Sequence, residues 1–151
     1  MPEQIGTLRV RLLDPGLPLP TRAHPDDAGI DLVARTSITL PPGARAVVPT
    51  GIAVAIPSGH VGLLCARSGL AARFGLGVVN GPGVVDAGYR GEVSVVLVNH
   101  DLRDEAVIER GQRIAQLVVV PVVVSGLEFV EDLGVTARGT AGFGSTGSVG
   151  S

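Results

Sequence analysis

Ala66-Arg67-Ser68-Gly69-Leu70-Ala71 puts a guanidinium, a hydroxyl and a glycine where a short helix is expected to begin. Helix starts leave backbone N–H groups free and carry partial positive charge, which makes them anion sites. The same residues also describe an ordinary capped helix with a surface arginine. Further on, Asn80-Gly81-Pro82-Gly83-Val84-Val85-Asp86-Ala87-Gly88-Tyr89-Arg90-Gly91-Glu92 sets Asp86 at the end of a strand, facing either solvent or a cleft. A carboxylate in a cleft can accept a proton from a water molecule and orient it. Tyr89, the only tyrosine, then supports a sugar or a base. The plainer alternative is an Asp-Ala-Gly turn with a packed tyrosine.

Gln116 lies two residues beyond Ile114 in Arg110-Gly111-Gln112-Arg113-Ile114-Ala115-Gln116-Leu117, so the two are expected to share a strand face. Here too a solvent-facing glutamine is the bland alternative. Asp26, Asp27 and Asp31 either hold a divalent cation through water or form a solvated acidic turn. The tail Arg138-Gly139-Thr140-Ala141-Gly142-Phe143-Gly144-Ser145-Thr146-Gly147 sets an arginine and a phenylalanine in a segment with no core to join. It is either a disordered tail or a lid over a phosphate-bearing ligand, with Arg138 as charge and Phe143 as stacking surface.

Short strands must position these residues. The chain has 151 residues, enough for one domain, and is 45% hydrophobic but 3% aromatic, so its core is aliphatic. Gly 22 and Pro 11 break it repeatedly, a composition that favours strands and turns over long helices. Alternation and turn signals place strands at Leu8–Leu13 (half-buried), Ile30–Ala34, Ser37–Leu40, Ala44–Pro49, Gly51–Ile56 and Val61–Cys65. Others follow at Gly77–Val79, Val84–Val85, Glu92–Asn99, Ala106–Ile108 and Ile114–Val124. Ser68–Phe74 reads as the one helix, with Ser68 as its cap and Gly75 as its stop. The expected fold is all-β, a distorted jelly roll or β-barrel, with a β domain over residues 1–137 and a flexible arm over 138–151.

The net charge of −2 argues against a non-specific nucleic-acid binder. All twelve basic residues are arginine, so a bound anion meets guanidinium forks or one of three histidines. Cys65 stands alone, which excludes an internal disulfide and a cysteine metal cage. No apolar run approaches the roughly 20 residues that span a bilayer. No leader pattern opens the chain, and a cytoplasmic location is expected.

Taken together, Ala28-Gly29-Ile30-Asp31-Leu32, Arg67 to Ala71, Asp86 to Glu92, Arg110 to Leu117 and Arg138 to Gly147 resemble, in order and spacing, the five motifs of trimeric dUTPases. The resemblance runs from about Leu8 to Gly147, and Leu13 to Pro20 looks like actinobacterial members. It implies a jelly-roll homotrimer with active sites at subunit interfaces, each closed by a C-terminal arm. It further implies magnesium-assisted hydrolysis of dUTP to dUMP and pyrophosphate, which limits uracil in DNA and supplies dUMP for dTMP synthesis. By position, Asp86 would orient the attacking water and Asp31 would hold magnesium through water. Arg67, Ser68, Gly69 and Gln116 would contact phosphates, and Tyr89 would underlie the deoxyribose. Asn80, the backbone of Val84 and Val85, and Ser94 would read uracil. Arg138 would clamp the γ-phosphate while Phe143 stacks on the base, with Gly144 and Ser145 completing the arm's contacts.

The sequence departs from the family pattern at Ala66, usually proline, and at Gly81, usually serine. Cys65 beside the phosphate loop is also unusual and reads as buried and inert. Three other readings compete, one of them a structural jelly-roll assembly protein, which leaves the glycine-, arginine- and phenylalanine-bearing tail unexplained. The related dCTP deaminases use a glutamate where Val96 stands and lack the full arm. A non-catalytic nucleotide-binding trimer would have lost Asp86, Gln116 or Arg138, and all three are present.

Overall fold

The computed structural model describes residues 6–147. Eleven strands and one helix follow one another as β1 (Arg9–Leu12), β2 (Gly29–Val33), β3 (Ile38–Leu40), β4 (Arg45–Pro49), β5 (Ile52–Ala55), β6 (His60–Ala66), α1 (Ser68–Phe74), β7 (Leu76–Val78), β8 (Gly83–Val85), β9 (Ser94–Asn99), β10 (Ala106–Ile108) and β11 (Arg113–Pro121). Every strand expected from alternation is present, with ends shifted by a residue or two, and by three at β11. The jelly-roll expectation holds, while the strands form four open sheets and no closed barrel: β2-β11-β6-β8, β4-β9-β7, β1-β5 and β3-β10. All pairs are antiparallel.

The core is aliphatic, as the composition requires. Leu32, Leu64, Leu117, Val85, Val95 and Leu97 pack between the two larger sheets with Ile108 and Ile114. Burying an aliphatic side chain of this size contributes roughly 1.5–3 kcal/mol. Two polar side chains join the core with their hydrogen bonds satisfied. Thr50 Oγ1 donates to the Val93 carbonyl at 2.6 Å, and Asn99 Nδ2 donates to those of Leu40 and Asp104 at 3.0 and 2.8 Å.

β1 departs from expectation. Alternating Leu-Arg-Val-Arg-Leu suggested a half-buried strand, yet all four of its residues are exposed. It pairs on one side only, with β5, and its apolar residues Val10 and Leu12 are 39% and 43% exposed. The end of β11 differs as well: it stops at Pro121, and Val122 to Gly147 are exposed throughout. Val122 donates its N–H to Gly59 at 2.9 Å. Beyond it, the described residues bond only to their own neighbours. No helix among the described residues is long and apolar enough to cross a membrane.

Candidate active site

The largest sheet brings four of the five motif stretches together. β11 lies between β2 and β6, and its register sets Gln116 opposite Asp31 on one side and Cys65 on the other. β8 continues the sheet beyond β6, with Val84 opposite Leu63.

One cleft, of about 190 Å³, is lined by Ala23, Asp31, Arg67, Ser68, Gly69, Arg113 and Gln116. Ser68 does not cap α1: Arg67 occupies the N-cap with extended backbone, and no side chain caps the helix. The uncapped first turn leaves its N–H groups to the cleft, because Ser68 and Gly69 are exposed and nothing lies within 4 Å of where a Gly69 Cβ would sit. At the other end Gly75 is left-handed (φ 66°) and donates its N–H to Ala71 at 3.1 Å, the expected stop.

Asp31 sits between two cations, Arg67 Nε at 3.7 Å and Arg113 Nη1 at 3.4 Å. Asp26 and Asp27 do not join it. Asp27 instead closes its own turn, accepting the His24 N–H at 2.9 Å. Among the described residues no group of three or more metal-ligating side chains is gathered. Asp31 is the one carboxylate among the residues lining this cleft. Such a donor set suits a magnesium ion whose remaining positions are taken by water and substrate phosphates.

Gln116 does not share a face with Ile114. A register shift between Arg113 and Ala115 breaks the alternation, so Ile114, Ala115 and Leu117 are all buried while Gln116 points to the cleft side. Its side-chain amide Nε2 donates to the Ala66 carbonyl at 3.1 Å. Gly29 makes this possible: a Cβ there would collide with Gln116 Oε1 and lie 3.1 Å from its Cβ. Gly29→Ala is expected to displace Gln116 and raise the KM for a phosphate-bearing substrate about tenfold, with little change in melting temperature. Steady-state kinetics beside a thermal melt check this; an unchanged KM removes Gln116 from the phosphate cleft's work.

A second cleft, of about 270 Å³, is lined by Leu64, Asn80, Gly83, Val84, Val85, Asp86, Tyr89, Glu92, Val93 and Ser94. β8 is an edge strand, so one side of its backbone is open to a ligand. Val85 is buried and Val84 is 63% exposed, which turns the hairpin's outer surface to the cleft. Asp86 is exposed at the mouth, and its carbonyl accepts the Tyr89 N–H at 3.1 Å to close the turn. Arg90 stitches the turn from behind, donating Nη1 to the Ala87 carbonyl at 2.6 Å. A Cβ at Gly81 would lie 3.1 Å from the Val78 carbonyl, so glycine suits this tight turn where the family usually has serine.

Five further residues were placed by sequence. Cys65 is only partly buried, a correction to its expected burial. Arg138 donates Nε to the Ala141 carbonyl of its own turn at 3.0 Å. Phe143 is fully exposed, and Gly144 and Ser145 lie in successive turns of the same arm. No residue lines both clefts, and the arm lines neither.

An aliphatic jelly roll thus carries an arginine-rich cleft and a separate, carboxylate-bearing hairpin cleft. Comparison with known proteins identifies the family. The dUTPase family profile matches residues 16–147. The deoxyuridine 5'-triphosphate nucleotidohydrolase of Nocardia farcinica is 55% identical over 143 residues, covering 95% of this chain and 87% of the relative. That of Mycobacterium marinum is 54% identical, covering 94% and 96%. Among solved structures, a mutant Staphylococcus bacteriophage 80alpha dUTPase with dUpNHpp superposes with a TM-score of 0.87 at 34% identity, covering 95% of this chain and all (100%) of that one. A mutant dUTPase from phage phi11, described with a structural Mg(II) ion, matches with a TM-score of 0.76 at 34% identity over 84% of this chain and 98% of its own. The chain belongs to the dUTPase family.

Proposed function

We infer that the protein is a dUTP diphosphatase, hydrolysing dUTP to dUMP and pyrophosphate and so limiting uracil in DNA while supplying dUMP for dTMP synthesis. The observation that carries this reading, beside the family membership, is the hairpin cleft, where Asp86, Tyr89, Asn80 and Ser94 line one small space. Asn80 and the open edge of β8 at Val84 and Val85 offer donors and acceptors to a uracil ring. A thymine methyl would meet the hairpin, and cytosine would present the opposite pattern. Tyr89 forms the floor under the sugar and leaves no room for a ribose 2′-hydroxyl.

In the reaction, Asp86 takes a proton from water as the water oxygen bonds to the α-phosphorus. The bond from that phosphorus to the α–β bridging oxygen breaks, and pyrophosphate leaves with the electron pair. Arg67, Ser68, Gly69 and Gln116 hold the phosphates in line, which supplies most of what phosphoryl-type transfer needs: positioning and charge stabilisation. Asp31 would hold magnesium through water. When bound, the ion would supply further neutralisation of the triphosphate.

The two clefts are separate within one chain, and the arm carrying Arg138 and Phe143 lies away from both. We therefore propose a homotrimer in which copies share each site and a neighbour's arm, residues 138–151, closes it, with Arg138 on the γ-phosphate and Phe143, Gly144 and Ser145 over the base and phosphates. We place the enzyme in the cytoplasm with its nucleotide substrate. Nucleic acid and membrane are not among the partners proposed.

Pyrophosphate release from dUTP, dCTP, dTTP and UTP, each with magnesium and with EDTA, tests the reading. Magnesium-dependent cleavage of dUTP alone is expected. Tight dUTP binding without cleavage would replace it with a regulatory nucleotide-binding trimer.

A further inference from the structure

We propose that Arg35 is a positioning residue for Tyr89, acting through Glu92 to set the ring that separates deoxyribose from ribose; the proposal rests on the dUTP-hydrolase reading. Arg35 follows β2, four residues beyond Asp31, and is tied to the neighbouring loop by its N–H, which donates to Pro49 at 2.8 Å. Its Nη1 reaches both carboxylate oxygens of Glu92, at 3.0 and 3.2 Å. The same Glu92 carboxylate accepts the Gly51 N–H at 2.9 Å. Glu92 is therefore held through its side chain by a guanidinium and a backbone amide at once, a charge-assisted arrangement with little freedom left.

What Glu92 holds in turn is Tyr89. The phenol donates to the Glu92 main-chain carbonyl at 2.9 Å. Its ring lies so close over Gly91 that a Cβ there would fall 2.7 Å from Cζ. Tyr89 is 48% exposed. Its height above the sheet is therefore set from below, by the Gly91–Glu92 backbone and that one hydrogen bond. A shift of Glu92 moves the phenol with it.

Arg35 itself is fixed from the far side. Its Nε meets Asp14 at 3.4 Å, and its carbonyl accepts Arg110 Nη1 at 2.6 Å. Asp14 also binds Arg110 at 2.7 and 3.0 Å, and the Arg110 guanidinium holds its carboxyl down at about 2. The chain Arg110–Asp14–Arg35–Glu92–Tyr89 thus runs from the loop entering β11 to the sugar-facing ring. All the charged members keep solvent contact, so screening limits what they add to global stability. Their geometry, by contrast, is what the ring depends on.

The test compares full-length Arg35→Met and Arg35→Lys with the wild type, measuring kcat and KM for dUTP and UTP beside thermal melts. Arg35→Met is expected to lower the dUTP-to-UTP ratio of kcat/KM about tenfold, mainly through KM. Arg35→Lys keeps one cationic donor to Glu92 and is expected to recover most of the ratio. A folded Arg35→Met with an unchanged ratio overturns the proposal, whatever happens to its melting temperature. If Arg35→Met does not fold, Glu92→Gln carries the same comparison, since it keeps the main-chain carbonyl and removes the ion pair. Wild-type protein that fails to cleave dUTP overturns the hydrolase reading instead, so the two failures are distinct.

Discussion

Asp86→Asn is expected to bind dUTP within a few-fold of the wild type while kcat falls on the order of 10²–10⁴-fold, the range a positioned general base contributes. The turn that carries Asp86 is built without its carboxylate. The Asp86 carbonyl accepts the Tyr89 N–H, Arg90 ties down Ala87 and Tyr89, and the exposed Asp86 side chain makes no hydrogen bond among the described residues. An isosteric amide therefore leaves the scaffold in place and removes only the ability to take a proton. In the proposed site binding falls to other groups: the phosphates to Arg67, Ser68 and the first turn of α1, the base to the β8 edge. Calorimetry with a non-hydrolysable α,β-imido analogue reads binding, and pyrophosphate release reads turnover. A kcat equal to wild type would assign the water-orienting role to another group. A parallel loss of affinity would instead make Asp86 a contact for the nucleotide.

The strands were legible because alternation and Gly/Pro punctuation are local signals, and each β segment here is short enough to be decided locally. The candidate site was legible only through the resemblance carried by five stretches in order, because Arg67-Ser68-Gly69, Asp86 to Tyr89 and Gln116 each also fit an ordinary cap, turn or solvent-facing strand position. Three things were not local. The bulge between Arg113 and Ala115 turns Gln116 away from Ile114, and simple period-2 counting has no term for an extra residue. The exposure of β1 depends on what lies beside it in space, which Leu-Arg-Val-Arg-Leu cannot state. Arg35 and Asp14 gave no signal at all. Each is an ordinary charged residue in a loop, and only the fold brings residues 14, 35, 92 and 110 to one point. Ser68 shows the opposite failure, where a strong local preference for capping yields to the chain entering α1 through Arg67.

The exposed C-terminal stretch leads to the second large effect. Removing Thr136 onward is expected to leave a folded protein with unchanged assembly and melting behaviour, and to lower kcat/KM for dUTP by about 10²-fold or more, because a catalytic lid completes and dries the site it covers. The folded part does not need these residues. Among the described residues Phe143 is fully exposed, Arg138 bonds only within its own turn, and the buried core ends at Leu117. A chain gains nothing in its free state by holding a bare phenylalanine in water, since burying such a ring contributes roughly 1.5–3 kcal/mol. That contribution is realised only when a surface such as a nucleotide base lies beneath it. Arg138 follows the same reasoning, because a guanidinium that bonds only to a nearby carbonyl keeps most of its donors for a phosphate. Size-exclusion chromatography and melting of the truncated protein test the first half of the expectation, and dUTP kinetics test the second. Full kcat/KM in the truncated protein would show that the two clefts of the body suffice without the arm. Loss of the assembly itself would show that residues from Thr136 onward hold copies together, and would move Arg138 and Phe143 from the lid to the interface.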